Sequence, residues 1–130
     1  MSNASATGIS AISLVVVNVA DQDRSIEFYE RLGFEKRTDI PFGNGYRWVE
    51  VYPPSGTTGL AVVPPRPGSD VVGGETGIVL TADDIDTTHR ELLALGVDAD
   101  AEVGRMGDPV PPMFWFRDPD GNSLLIVQRS

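Results

Sequence analysis

Residues 14–34 and 77–97 repeat one local pattern: a β-branched strand, an acidic stop, an amphipathic helix, a Leu-Gly ending and a new strand. In the first copy Leu14-Val15-Val16-Val17-Asn18-Val19-Ala20-Asp21 leads into Arg24-Ser25-Ile26-Glu27-Phe28-Tyr29-Glu30-Arg31-Leu32-Gly33-Phe34. In the second, Gly77-Ile78-Val79-Leu80-Thr81-Ala82-Asp83 leads into Thr88-His89-Arg90-Glu91-Leu92-Leu93-Ala94-Leu95-Gly96-Val97. With Asp21 and Asp83 as equivalent stops the offset is 62, against 63 between Gly33 and Gly96, so the second helix is expected to be one residue longer. Neither copy can bury its own sheet face. A duplicated unit of this kind predicts a paired architecture with a shared cleft.

A chain of 130 residues is long enough for one packed core and too short for two independent ones. The expected organisation is a disordered segment at 1–8 and a single domain at 9–130, with modules at about 9–63 and 77–130. Ten Lys and Arg stand against 19 Asp and Glu, a net charge of −9 spread along the chain. Such a surface lacks the basic face that phosphate binding needs, which argues against nucleic acid as a partner and favours neutral or cationic ligands. The absence of cysteine removes disulfides, thiolate nucleophiles and zinc-thiolate sites. No apolar run approaches the roughly 18 residues of a membrane span, and no signal-peptide pattern opens the chain. A soluble cytoplasmic protein without membrane contact is expected.

Residues 12–19 are rich in β-branched side chains, the pattern of a strand buried on both faces, and predict a central strand. Asp21 or Asp23 is placed to cap a helix over about 22–32, whose Ile26, Tyr29 and Leu32 recur at helical spacing before Gly33 ends it. Strands are expected at 34–38, 46–51 and 59–63, with a turn at 41–45 rich in Gly and Asn. The Pro- and Gly-rich stretch 64–76 reads as the connection between modules. The second half repeats the order: a strand at 77–82, a helix at about 84–95, a short strand at 97–102, and a hairpin of 113–117 and 123–127 around Asp118-Pro119-Asp120-Gly121-Asn122.

Tandem βαβββ units, the Phe28-Tyr29 pair with Leu32-Gly33-Phe34 closing the first helix, and Phe116-Arg117-Asp118-Pro119-Asp120-Gly121-Asn122 before the last strand resemble the vicinal oxygen chelate superfamily. That superfamily includes glyoxalase I, extradiol dioxygenases, fosfomycin-resistance transferases and bleomycin-binding resistance proteins. The resemblance covers residues 12–128 and implies an α+β fold in which two tandem βαβββ modules form a curved mixed sheet with a cleft. Because such a superfold hosts unrelated chemistries, function has to come from the site residues.

In metal-dependent members a divalent ion is held by side chains from strands one, four, five and eight. Carried over residue by residue, those positions fall on Leu14, Ala61, Gly77 and Leu125. None offers a lone pair, whereas divalent-metal sites need converging oxygen or imidazole ligands. The chain's single histidine cannot supply two imidazoles. The expectation is no metal and no cofactor. His89 lies on or beside the apolar stripe of the second helix, where an imidazole packs its ring and bonds a carbonyl or water.

Side chains alternate along a strand, so the four metal-equivalent positions mark the cleft face. Leu14, Val16, Asn18, Ala61, Val63, Gly77, Val79, Thr81, Ser123, Leu125 and Val127 fall on it; Val15, Val17, Val19, Leu60, Val62, Ile78, Leu80, Leu124 and Ile126 face the helices. Trp48 and Glu50 share one strand face, as do Met113, Trp115 and Arg117, leaving Phe114 and Phe116 for the core. Tryptophan beside a carboxylate suits a planar or cationic ligand through dispersion, cation–π attraction and charge. A Glu50 buried there should pair with an arginine or await a cation. Arg47 and Arg117 are expected in surface salt bridges. The predicted ligand-binding set is Leu14, Val16, Asn18, Trp48, Glu50, Ala61, Gly77, Trp115 and Leu125, with no catalytic constellation. The resulting reading is a metal-free small-molecule binding protein acting as a homodimer; the alternative is a divergent lyase, isomerase or dioxygenase-like enzyme with a non-standard site near Glu50.

Overall fold

The computed structural model describes residues 6–43 and 45–130. Most of the segment expected to be disordered, residues 1–5, and Asn44 of the expected turn lie outside the described residues; residues 6–8 are exposed and belong to no helix or strand. The chain runs β1 (Leu14–Asn18), α1 (Gln22–Arg31), β2 (Glu35–Gly43), β3 (Tyr46–Tyr52), β4 (Gly59–Val63), β5 (Gly74–Ala82), α2 (Ile85–Ala94), β6 (Asp98–Ala99), β7 (Met113–Arg117) and β8 (Asn122–Gln128). The α+β fold of two βαβββ modules is therefore present. Each module forms its own four-stranded mixed sheet, in the orders β1-β4-β3-β2 and β5-β8-β7-β6, with the first strand parallel to the last and the other pairings antiparallel.

The two helices are built alike. Asp21 accepts the Arg24 N–H and Asp84 accepts the Thr87 N–H, each satisfying a donor that a helix N-terminus leaves free. Both end in Schellman motifs. Gly33 N–H bonds Glu30 O and Phe34 N–H bonds Tyr29 O, while Gly96 N–H bonds Leu93 O and Val97 N–H bonds Leu92 O. The two glycines adopt φ of 102° and 78°, a region costly for a side chain bearing Cβ. The cap of α2 is thus Asp84 and not Asp83, and both helices have ten residues. The expected extra residue does not exist: the modules stay in step, and Leu14 and Gly77 each lie seven positions before their caps.

Strand alternation divides the faces as expected. Val17, Val19, Leu60, Val62, Ile78, Leu124 and Ile126 are buried with Phe114 and Phe116, and Val15 and Leu80 pack against them half-buried. On the opposite face Val16 and Val79 are each 55 % exposed. One core spans both modules. Phe28 of α1 stacks on Phe116 of β7 at 6.3 Å, so the helix of the first module helps cover the sheet of the second.

Three sequence expectations fail locally. β1 is an edge strand of its sheet, not a central one, because among the described residues no strand pairs with its outer side. The region 41–43 is strand and not turn; β2 is the other edge, where Pro41 pairs with Arg47 of β3 on one side and an edge strand tolerates its missing N–H, and its bulges fall between Lys36 and Thr38 and between Pro41 and Gly43. β6 is only two residues long, followed by a single bridge between Gly104 and Met113.

The Asp118–Asn122 turn is the joint between modules. Asp118 Oδ1 accepts the backbone N–H of Asp120 and of Asn122, and its Oδ2 accepts Tyr29 OH at 3.0 Å and Asn122 Nδ2 at 2.9 Å. Asn122 also donates to Asn18 O and accepts the Gly73 N–H. Arg24 donates to Pro119 O, and the Ala20 N–H reaches Asp120. One turn thus holds α1, the end of β1, the inter-module connection and β8.

Candidate functional site

The outward sheet face of the first module is laid out by register. Val16 pairs with Ala61 across β1 and β4, Ala61 with Glu50 across β4 and β3, and Glu50 with Thr38 across β3 and β2. Ala61 is 0 % exposed beneath this row. Successive same-face residues of β3 then place Tyr46, Trp48, Glu50 and Tyr52 in line. The Trp48 indole N–H donates to Glu50 Oε2 at 2.7 Å, Tyr52 OH donates to Oε1 at 2.9 Å, and Thr38 OH lies 3.4 Å from Oε1. Of the two partners expected for Glu50, an arginine or an incoming cation, no arginine pairs with it among the described residues; three neutral donors hold the carboxylate.

Tyr52 has further supports. Arg37 lies 4.4 Å from its ring centroid, a cation–π distance. On β4, a Cβ at Gly59 would come within 2.7 Å of the ring, so the phenol needs glycine beneath it. The hydrogen bond to Glu50 is the largest cause that raises the Tyr52 pKa above the ordinary tyrosine value. Toward the tip of the hairpin Ile40 pairs with Trp48, and Phe42 stacks on Tyr46 at 6.0 Å, all three of Ile40, Phe42 and Tyr46 being exposed. Sequence reasoning missed Thr38, Ile40, Phe42, Tyr46 and Tyr52. The signal for Tyr46 and Tyr52 was present, since both keep the two-residue period set by Trp48 and Glu50.

The second module presents the equivalent row Val79, Leu125 and Trp115. Trp115, Leu125, Met113 and Arg117 are half-buried. Gly77 falls inside an irregularity of β5 between Glu75 and Val79, with φ of 76°, and leaves the row open at that end.

The nine expected site residues are not gathered around one cavity. A cavity of about 640 Å³ lies between the modules, lined by Ile12, Val15, Phe34, Ile78, Leu80 and Leu92 among others. Gly77 reaches it; a smaller one of about 230 Å³ touches Val16 and Asn18. Leu14, Trp48, Glu50, Ala61, Trp115 and Leu125 line neither. The structure brings together Val16, Ala61, Glu50 and Trp48 in one module and Leu125 with Trp115 in the other, on two outward faces.

The metal-equivalent positions do not fit a divalent ion, because Leu14, Ala61, Gly77 and Leu125 carry no donor atom. Among the described residues no three His, Cys, Asp or Glu side chains are grouped to hold one. His89 is buried against Phe114, ring centroids 4.8 Å apart, with Nε2 2.7 Å from Asp100 O, a structural role. Arg47 pairs with Asp23 and Asp39, and Arg117 with Asp98 and Asp100. Hydrogen bonds from Lys36 and then Arg47 hold the Asp39 pKa below the usual carboxylate range, and Arg117 does the same for Asp98. Such exposed pairs contribute little to stability. Among the described residues no helix is long and apolar enough to cross a membrane.

Fold, repeat and sheet faces are those of one family. Residues 11–126 match the Glyoxalase/Bleomycin resistance protein/Dioxygenase superfamily, and the chain belongs to it. Over 126 residues it is 31 % identical to YetH, an uncharacterized protein of Bacillus subtilis (strain 168), covering 92 % of this chain and 99 % of the relative. A superfamily member from Sphaerobacter thermophilus DSM 20745 superposes with a TM-score of 0.84 at 34 % identity, covering 93 % of this chain and 98 % of that one. TnmS3, an antibiotic binding protein from Streptomyces sp. CB03234, superposes with a TM-score of 0.80 at 34 % identity, covering 95 % and 99 %.

Proposed function

We propose that this protein binds a small organic molecule, an antibiotic or a metabolite, in the cytoplasm and without a metal. The observation that carries this reading is the exchange on the first module's outward face: donorless side chains at the metal-equivalent positions Leu14 and Ala61, and a hydrogen-bonded wall of Trp48, Glu50 and Tyr52 beside them. The likeness to TnmS3, an antibiotic binding protein, supports the ligand class. A homodimer completes the site. Val16 and Val79 are 55 % exposed, β1 and β5 are edge strands of their sheets, and the apolar cavity of about 640 Å³ borders both strands. Covering these with a second copy across a two-fold axis removes apolar surface from water and closes two outward faces into clefts. In that arrangement the β-branched run of β1 is covered on both sides, as its composition demands.

The test is a tryptophan-fluorescence titration against a panel of antibiotics in EDTA-containing buffer, with the mass in solution measured by light scattering. Saturable binding of one ligand per chain to a dimer, with the ligand recovered unchanged, is expected. A ligand recovered chemically altered, or binding that requires stoichiometric divalent metal, overturns the reading in favour of a divergent enzyme.

A further inference from the structure

Glu50 occupies an unusual position for a carboxylate on an open apolar face. Two of its three donors come from aromatic residues on either side of it on the same strand, Trp48 and Tyr52, and the third from Thr38 on the neighbouring strand. Among the described residues no lysine or arginine forms a salt bridge with it. A carboxylate has about four lone-pair sites, and three are already engaged by neutral donors. Same-face residues two apart on a strand stand about 7 Å from each other, so a central acceptor draws both rings inward over itself.

The two rings differ in how else they are held. Tyr52 rests on Gly59 and lies beside Arg37, and stays in place through packing. The Trp48 indole has one polar contact, Glu50 Oε2, and its ring is only half-buried. Freed from that contact, the indole regains rotamer freedom that a ligand must then remove on binding. Fixed by it, the ring is a ready surface for stacking.

We infer that Glu50 is a positioning residue, whose carboxylate sets the Trp48 indole for stacking against a planar aromatic ligand instead of meeting a ligand's positive charge. This rests on the small-molecule binding proposed above and narrows it to flat aromatic compounds, neutral or charged. The carboxylate acts through Trp48, so an isosteric acceptor without charge should serve almost as well.

Two variants and two probes test this. In an indole ¹H–¹⁵N spectrum, with Trp48→Phe identifying the Trp48 signal, the wild-type resonance should lie downfield and exchange slowly with deuterium. In Glu50→Ala it should move upfield and exchange quickly; in Glu50→Gln, whose carbonyl oxygen still accepts, it should stay near the wild-type position. The same signal then follows titration with acridine, neutral at pH 8, and N-methylacridinium, the same rings with a fixed positive charge. Glu50→Ala should weaken both probes by about tenfold, and Glu50→Gln should stay within about threefold of wild type for both. A Glu50→Gln protein that loses about tenfold for N-methylacridinium while binding acridine normally makes Glu50 a charge anchor and overturns the inference. An indole signal unchanged in Glu50→Ala overturns it as well. Failure of both probes to bind the wild type also overturns it, leaving the broader binding reading to the antibiotic titration.

Discussion

Replacing Asp118 by alanine should unlock the two modules from each other. Asp118 is 4 % exposed and its carboxylate accepts four hydrogen bonds, from Tyr29 OH, Asn122 Nδ2 and the backbone N–H groups of Asp120 and Asn122. Alanine leaves all four donors without that acceptor. The Tyr29 hydroxyl sits on a residue that is 0 % exposed and the Asn122 amide on one that is 4 % exposed, so water does not readily replace the carboxylate there. At about 1–3 kcal/mol for each buried unsatisfied donor, with the two turn amides at the low end, the loss should be about 4–8 kcal/mol. That is a large fraction of the roughly 5–15 kcal/mol that holds a typical domain together. Tyr29→Phe removes one donor and leaves the carboxylate with three, which should cost about 1–2 kcal/mol. The double variant should lose little more than Asp118→Ala alone, a coupling of about 1–2 kcal/mol. Urea unfolding by circular dichroism measures all four proteins, at one protomer concentration because assembly shifts apparent stability. A loss under about 1 kcal/mol for Asp118→Ala, or full additivity in the double variant, would refute the turn as the joint.

The same pair predicts a pH dependence. Burial first, and then the negative charge of Asp118, push the Tyr29 phenol far above its ordinary 10.0, so the folded protein keeps a proton that the unfolded chain releases. That contribution is whole below pH 10.0 and declines above it, by about 1.4 kcal/mol per unit; Tyr29→Phe should flatten the alkaline decline, and an identical slope in both proteins would count against it. Ser25 is 0 % exposed with a hydroxyl that has no partner among the described residues, so Ser25→Ala should leave the melting temperature unchanged or raise it by a few degrees, and a clear fall would show a missed partner. Gly59→Ala drives a methyl group into the Tyr52 ring and should cost about 1–3 kcal/mol while displacing the phenol from Glu50; a calorimetric loss near zero would mean the ring gives way freely.

Properties set by near neighbours were legible in the sequence. The Leu-Gly endings marked both Schellman motifs because only a few consecutive residues take part in them. The two-residue period separated Val17 and Val19 from Val16, and Phe114 and Phe116 from Trp115, because alternation belongs to the strand itself. The absence of donors at Leu14, Ala61, Gly77 and Leu125 is likewise a matter of side-chain chemistry. Choices between close alternatives needed the folded chain. Asp83 and Asp84 are equally suited to capping, and the backbone path out of β5 selects Asp84. Pro41 reads as a turn residue until β2 is found at a sheet edge. The β-branched run of β1 says that both faces are to be covered, but not that β1 lies at a sheet edge with Val16 55 % exposed. Distance in sequence explains the rest. Tyr29 meets Asp118 across 89 residues and Asn122 meets Asn18 across 104, contacts with no local periodicity to announce them. The surroundings of Glu50 were set in the same way: its donors Trp48 and Tyr52 are two residues away, but Thr38 is reached only through the pairing of β2 with β3. Whether a carboxylate on a strand face turns to its neighbours or to solvent follows from the tertiary arrangement of donors around it.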